Sequence, residues 1–323
     1  MLKPSIKWDV KENSFIHKNE LFGPVLAVIK ADNLEHAVQI VNDTGYGLTS
    51  GIESLDEREV NYWKENLKAG NLYVNRGTTG AIVLRQPFGG MGKSAIGAGR
   101  KVGIFNYITQ FVEFEEKAMP LTAKKYDNYL TDFIQLCKIT HAPLKNEFEK
   151  LEKALQSYYE NYENEFSQKK DYCKVRGEDN HFQYLPLKNV IIRVSCGDTF
   201  FEVVSRILAA RVSQVSFTVS VCDNPSIYTF LQDSKELFTK HDILKKENEE
   251  MFLESLAHYD RILYSNSNKV SDGVFQKASE SLTFIVRQKP MMEGRLELLN
   301  YFTEQSISHS YHRYGNIGAR EIK

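Results

Sequence analysis

Seven glycines (Gly77, Gly80, Gly89, Gly90, Gly92, Gly97 and Gly99) fall within 23 residues, out of nineteen in a chain of 323. Glycine enters left-handed backbone without steric cost and weakens helix and strand interiors. The stretch Asn75–Lys101 is therefore a loop that turns repeatedly. It also holds Arg76, Arg85, Lys93, Arg100 and Lys101, with no aspartate or glutamate. Glycine-rich turns expose backbone N–H groups, which in succession form anion-binding concavities. Basic side chains without acidic competitors raise the local potential further. Two readings stand on the residues alone: a site for a small anion, or a loop whose glycines merely turn corners beneath solvated charges.

The loop contains Gly92-Lys93-Ser94, the ending of a nucleotide-binding P-loop. That motif needs a glycine five residues before Gly92, and the residue there is Pro87, which has a fixed φ and no N–H to offer. Gly97 and Gly99 would also weaken any helix starting at Lys93. A carboxylate is then a better ligand class than a nucleotide phosphate.

Around the loop, residues 20–115 alternate strand and helix signals. "PVLAVIKA" suits a buried strand, and Asp32 or Asn33 can cap the amphipathic helix that follows. "SLDEREVNYWKENLKAG" reads as a second helix, "NLYVN" as a strand, and "YITQFVEF" (107–114) as an exposed or intersubunit strand. From about Met119 glycine nearly vanishes, and Leu144, Phe148, Leu151, Leu155, Tyr158 and Tyr162 mark one apolar stripe of a packed helix. A second α/β region follows: strand "NVIIRVSC", a helix capped by Asp198, strand "QVSFTVSVC", then "RILYSN" and "TFIVRQ". This is a parallel βαβ pattern without the G-x-G-x-x-G of dinucleotide binding. The last twenty or so residues read as a docking tail.

Composition excludes several classes. A formal net charge of −1 argues against a dedicated nucleic-acid binder, and no apolar run reaches the length of a membrane span. Cys137, Cys173, Cys196 and Cys222 are scattered, as in a cytoplasmic protein with reduced thiols. His309 and His312 have H-x-x-H spacing but no third ligand nearby, so no metal is expected.

"NELFGPVLAVIKADNLEHAVQIVNDTGYGLTSGI" and "NRGTTGAIVLRQPFGGMGKSAIGAG" resemble the late part of the aldehyde dehydrogenase catalytic fold. The second stretch narrows the resemblance to dehydrogenases of L-glutamate γ-semialdehyde, the open form of Δ1-pyrroline-5-carboxylate. The resemblance implies that Glu20 hydrogen-bonds the nicotinamide ribose of NAD, with Phe22 packing beside it. It further implies that backbone amides at Gly80 and Ala81 hold the substrate α-carboxylate, and that Phe88 packs on the substrate methylenes. Over the whole chain, including "SISHSYHRYGNIGAR", the resemblance is to the C-terminal end of the longer members of the proline utilization A (PutA) family. These bifunctional flavoenzymes of proline catabolism use FAD in a proline dehydrogenase domain and NAD for the semialdehyde. The match is close over 2–114, looser over 120–300 and close again in the tail.

The expected fold is α/β: the C-terminal part of an aldehyde dehydrogenase catalytic domain (1–118, with an oligomerisation strand), a helical connector (119–170), a Rossmann-like lid domain (171–304) and a docking tail (305–323). The family's catalytic cysteine and general-base glutamate lie well upstream of Glu20, and only nineteen residues precede it here. The chain alone is therefore expected to be inactive. Its expected partners are the semialdehyde or glutamate, an upstream dehydrogenase polypeptide and further copies in a homo-oligomer. The alternative is a non-catalytic module that docks on a separately encoded dehydrogenase core.

Overall fold

A computed structural model describes residues 3–311, and the chain divides into two compact units that alternate along the sequence. The first comprises residues 1–110, 169–182 and 304–323, and the second 111–168 and 183–303. The expected boundaries shift accordingly. The break after the aldehyde dehydrogenase-like part falls at Gln110, the connector helices belong to the second unit, and residues 169–182 return to the first.

In the first unit, Asn33 rather than Asp32 caps helix Leu34–Asp43, its side chain accepting from His36 N at 2.8 Å. Asp56 caps helix Glu57–Asn66, with Glu57 and Glu59 in the first turn, where free N–H groups favour carboxylates. Both helices cover one face of a sheet ordered Thr49–Ile52, Asn71–Val74, Phe302–Ser310, Glu178–Pro186. Val38, Val60, Trp63, Leu72, Val74 and Ile307 form the core between them. "NLYVN" is thus the buried strand Asn71–Val74, with parallel neighbours on both sides. "PVLAVIKA" gives only the short strand Val25–Ala27, parallel to Ser5–Lys7, and it is exposed rather than buried. Among the described residues no second layer covers this two-stranded sheet.

Two expectations about the chain's far segments change. Residues 305–310, expected as part of a docking tail, are a packed strand. They lie in strand Phe302–Ser310, where Ser306 pairs with Asn71 and His309 with Val74, because the open edge of Asn71–Val74 offers a ladder of backbone partners. His312, Arg313 and Tyr314 lie outside the described residues. Residues 107–114 form no strand: Phe105–Gln110 is a 3-10 turn and the rest is irregular and exposed. A strand needs a neighbour for its N–H and C=O groups, and no described strand supplies one there.

The second unit is a five-stranded parallel sheet ordered Ile243–Lys246, Ser216–Val221, Asn189–Val194, Arg261–Leu263, Phe284–Val286. The chain starts in the middle strand, winds to one edge, then crosses to the other side, which is the doubly wound order. Helix Phe200–Val212 begins with a capping box between Thr199 and Glu202, so Thr199, not Asp198, is its cap. The apolar stripe of helix Lys145–Asn161 buries Phe148, Leu151, Leu155 and Tyr158 against that helix. Among the described residues no helix is long and apolar enough to cross a membrane.

Candidate functional site

The glycine-rich loop leaves strand Asn71–Val74 through Asn75, which is at φ +55° and whose side chain bonds both Ser54 N and Ser54 O at 2.9 Å. The bend that follows is exposed. Gly80 has φ +78° with open space where a side chain would project, so backbone conformation, not crowding, calls for glycine there. Among the described residues nothing accepts a hydrogen bond from the amides of Thr79, Gly80 and Ala81. The bend is closed just beyond them: Ile82 N donates to Gln86 Oε1 at 3.1 Å, and Gln86 N to Ile82 O at 2.8 Å. A carboxylate arriving here would meet amides that have no partner among the described residues.

The turn carrying Phe88 is built differently. Phe88 exchanges main-chain bonds with Val102 at 2.9 and 2.8 Å. On either side of it, the Pro87 carbonyl and the Gly89 amide bond to the buried Asn71 side chain at 2.9 and 3.1 Å. Lys101, fully buried, donates from Nζ to Gly89 O and, at 3.2 Å, to Asn71 Oδ1. Burial pushes its amine down to about 7, with Glu304 pulling the other way.

The expectation that the loop's basic residues lack acidic competitors does not hold. Arg85 pairs with Glu178 at 2.6 Å and Arg76 with the same carboxylate at 3.5 Å, while Arg100 faces Glu304 at 3.5 Å. Burial would raise the Glu178 pKa, but its bonds to Arg85, Asn180 and Arg76 outweigh that and lower it. Lys93 donates to Thr44 O at 2.9 Å and lies over the Tyr46 ring. The loop therefore offers an anion unpartnered amides at Thr79–Ala81 rather than a field of unpaired cations. Gly92-Lys93-Ser94 is no phosphate cradle either: Lys93 N and Ser94 N donate to Gly45 O and Met91 O at 2.9 and 3.1 Å.

Glu20 and Phe22 sit in the exposed N-terminal segment, Phe22 at φ +49° and 93% exposed. Glu20 has no hydrogen bond or ion pair among the described residues, so its carboxylate is free to accept one. No described contact joins these two residues to the bend. Cys137 is buried, its thiol pushed up to about 11, while Cys173, Cys196 and Cys222 are exposed. His309 lies on the terminal strand, and no metal-ligand cluster occurs among the described residues. Lys101, read from the sequence only as one of the loop's charges, and Asn71, Gln86, Glu178, Glu304 and Ser306, not singled out there, hold the loop in place.

The model of the aldehyde dehydrogenase family matches residues 1–116. Over 107 residues the chain is 44% identical to the 1-pyrroline-5-carboxylate dehydrogenase of Bacillus cytotoxicus, an alignment covering 33% of this chain and 20% of that protein. The protein of the same name from Bacillus thuringiensis matches with the same identity and shares. Among solved structures, Proline Utilization A (PutA) from Corynebacterium freiburgense aligns with a TM-score of 0.71 at 29% identity, covering 95% of this chain and 27% of that one. The chain thus spans 20% of the length of the curated relatives it matches, and its likeness to the solved structure runs through both units.

Proposed function

We propose, from the match of residues 1–116 to the aldehyde dehydrogenase family model, that the chain is the C-terminal part of an NAD-dependent dehydrogenase that oxidises L-glutamate γ-semialdehyde to L-glutamate, in a PutA-type protein of proline catabolism. The observation that supports this reading most is the bend Thr79–Ala81, whose amides have no partner among the described residues, in the stretch that the aldehyde dehydrogenase family model matches. The amides of Gly80 and Ala81 grip the substrate α-carboxylate. Hydrogen bonds to a charged group contribute about 1.5–3 kcal/mol each. Phe88 covers the methylenes and so aims the aldehyde end away from the bend. Glu20 accepts from the nicotinamide ribose, and Phe22 packs beside it. When bound, NAD supplies the hydride acceptor.

The thiolate nucleophile and the base that activates water come from chain outside these 323 residues. Burial keeps Cys137 protonated, and Cys173, Cys196 and Cys222 all lie beyond the matched stretch. Purified alone, the chain should reduce no NAD with pyrroline-5-carboxylate, and joining it to the upstream polypeptide should restore turnover. Turnover by the chain alone would overturn the division of labour.

A second reading has its own support. Ile6, Trp8, Phe15, Phe22 and Leu26 are exposed within the first thirty residues, which suits a module that docks on a separately encoded dehydrogenase core. Co-expression with such a core decides: a complex that copurifies and turns over favours docking between two chains.

A further inference from the structure

Every main-chain polar group of Pro87, Phe88 and Gly89 has a partner: Asn71 and Ser306 on the strands behind the turn, and Lys101 and Val102 on the returning part of the loop. Pro87 O accepts from Asn71 Nδ2 at 2.9 Å and from Ser306 Oγ at 2.6 Å. Phe88 is paired with Val102 through both its N–H and its C=O. Gly89 N donates to Asn71 Oδ1, and Gly89 O accepts from Lys101 Nζ. Asn71, Lys101 and Ser306 are all buried. The chain makes room for the lysine: a Cβ on Gly70 would stand 1.9 Å from Gly89 O and 2.7 Å from Lys101 Nζ.

A buried amine that hydrogen-bonds only neutral acceptors, with the Glu304 carboxylate offsetting part of its desolvation, is a costly way to fill space. Apolar side chains of similar volume are often as stabilising as a buried charged group or more so. What the amine adds is direction, because it ties one carbonyl to one side chain. With the backbone of the turn fixed at each polar atom, only the half-buried Phe88 ring is left to meet a ligand.

We propose that Lys101, with Asn71 and Ser306, is a positioning residue: it fixes the Pro87–Gly89 turn so that the Phe88 ring lies along the substrate methylenes, and it sets affinity for the semialdehyde without touching it. This rests on the carboxylate-anchor reading above. The test is steady-state kinetics of Lys101→Met and Ser306→Ala in the full protein that carries this chain, with Gly80→Val measured alongside. Lys101→Met should raise KM for the semialdehyde roughly 10-fold and Ser306→Ala roughly 3-fold. KM for NAD should stay within about twofold in both, since no proposed NAD contact moves. Lys101→Gln, which restores a neutral donor, should recover part of the loss. If Lys101→Met fails to fold, the milder Ser306→Ala carries the test. An unchanged semialdehyde KM in these variants, or an equal rise for NAD, overturns the positioning role. If Gly80→Val also leaves the semialdehyde KM unchanged, the anchor reading itself has failed. If Gly80→Val raises it while the other two do not, only the positioning inference falls.

Discussion

Two bends of one loop, a few residues apart, solve opposite problems. At Thr79–Ala81 the backbone is exposed and its amides are unpartnered among the described residues. At Pro87–Gly89 every backbone polar group is tied to a strand behind it or to the loop's own Lys101 and Val102. Their glycines differ in the same way. Gly80 is needed for a positive φ in open space, whereas Gly70 and Gly89 let main chain, the Lys101 stem and its amine pass at close range. An unsatisfied exposed amide is free to bind. A satisfied buried one is free only to hold still.

The contrast is broken most directly at Gly80. A valine there must adopt φ near +78°, which a β-branched residue strongly disfavours. The bend shifts, and on the proposed anchor reading the substrate carboxylate loses its donors. KM for the semialdehyde should rise roughly 100-fold, equivalent to about 2.7 kcal/mol, with KM for NAD little changed.

Crowding is the corresponding probe of the rigid turn. Gly70→Ala forces a methyl into Gly89 O and should cost about 1–3 kcal/mol in denaturant unfolding. Gly77→Ala meets open space without a positive φ and should stay within about 0.5 kcal/mol. Similar costs at both positions would mean that the turn is not close-packed.

That difference marks where sequence reading succeeds and where it stops. Local rules suffice for the second helix, observed as Glu57–Asn66, for the strand Asn189–Val194 and for the apolar stripe of Lys145–Asn161. The glycine run announces a loop, and Gly80 can be singled out by resemblance. Glu178 and Glu304, which neutralise the loop's arginines, lie about ninety and two hundred residues from them, and no local pattern joins them. The terminal strand did carry a signal. Ser306, Ile307 and Ser308 alternate with period two, as a half-buried strand does. Their polarity read as a tail because the serines bond to Pro87 and Asn180 instead of to water.

Proton linkage gives a finer measure of the buried turn. Lys101 titrates at about 7 in the folded chain, against an ordinary value of 10.5. The unfolded chain therefore binds the additional proton between those two values, and stability rises with pH across that window. Below about 7 the penalty of the buried ammonium is fully present. Lys101→Met should remove this slope, so its stability relative to the parent should be highest near pH 6 and fall towards pH 10. Urea midpoints at those two values measure it, and parallel profiles would place the amine in contact with water.

The smallest effect is expected from the loop's arginines, and it bears on what selects the anion. Arg85 and Arg76 share the Glu178 carboxylate and are themselves about a fifth to a quarter exposed. Partly exposed pairs of this kind contribute about 0–1 kcal/mol. Because the arginine charges are already neutralised, Arg85→Ala should shift the semialdehyde KM less than about twofold and leave its salt dependence unchanged. A rise of roughly 10-fold, relieved by Glu178→Gln in the same molecule, would mean that Arg85 exchanges Glu178 for the substrate carboxylate. The open bend would then hold its ligand with a side chain as well as with amides, and the contrast with the rigid turn would lie in timing rather than in chemistry.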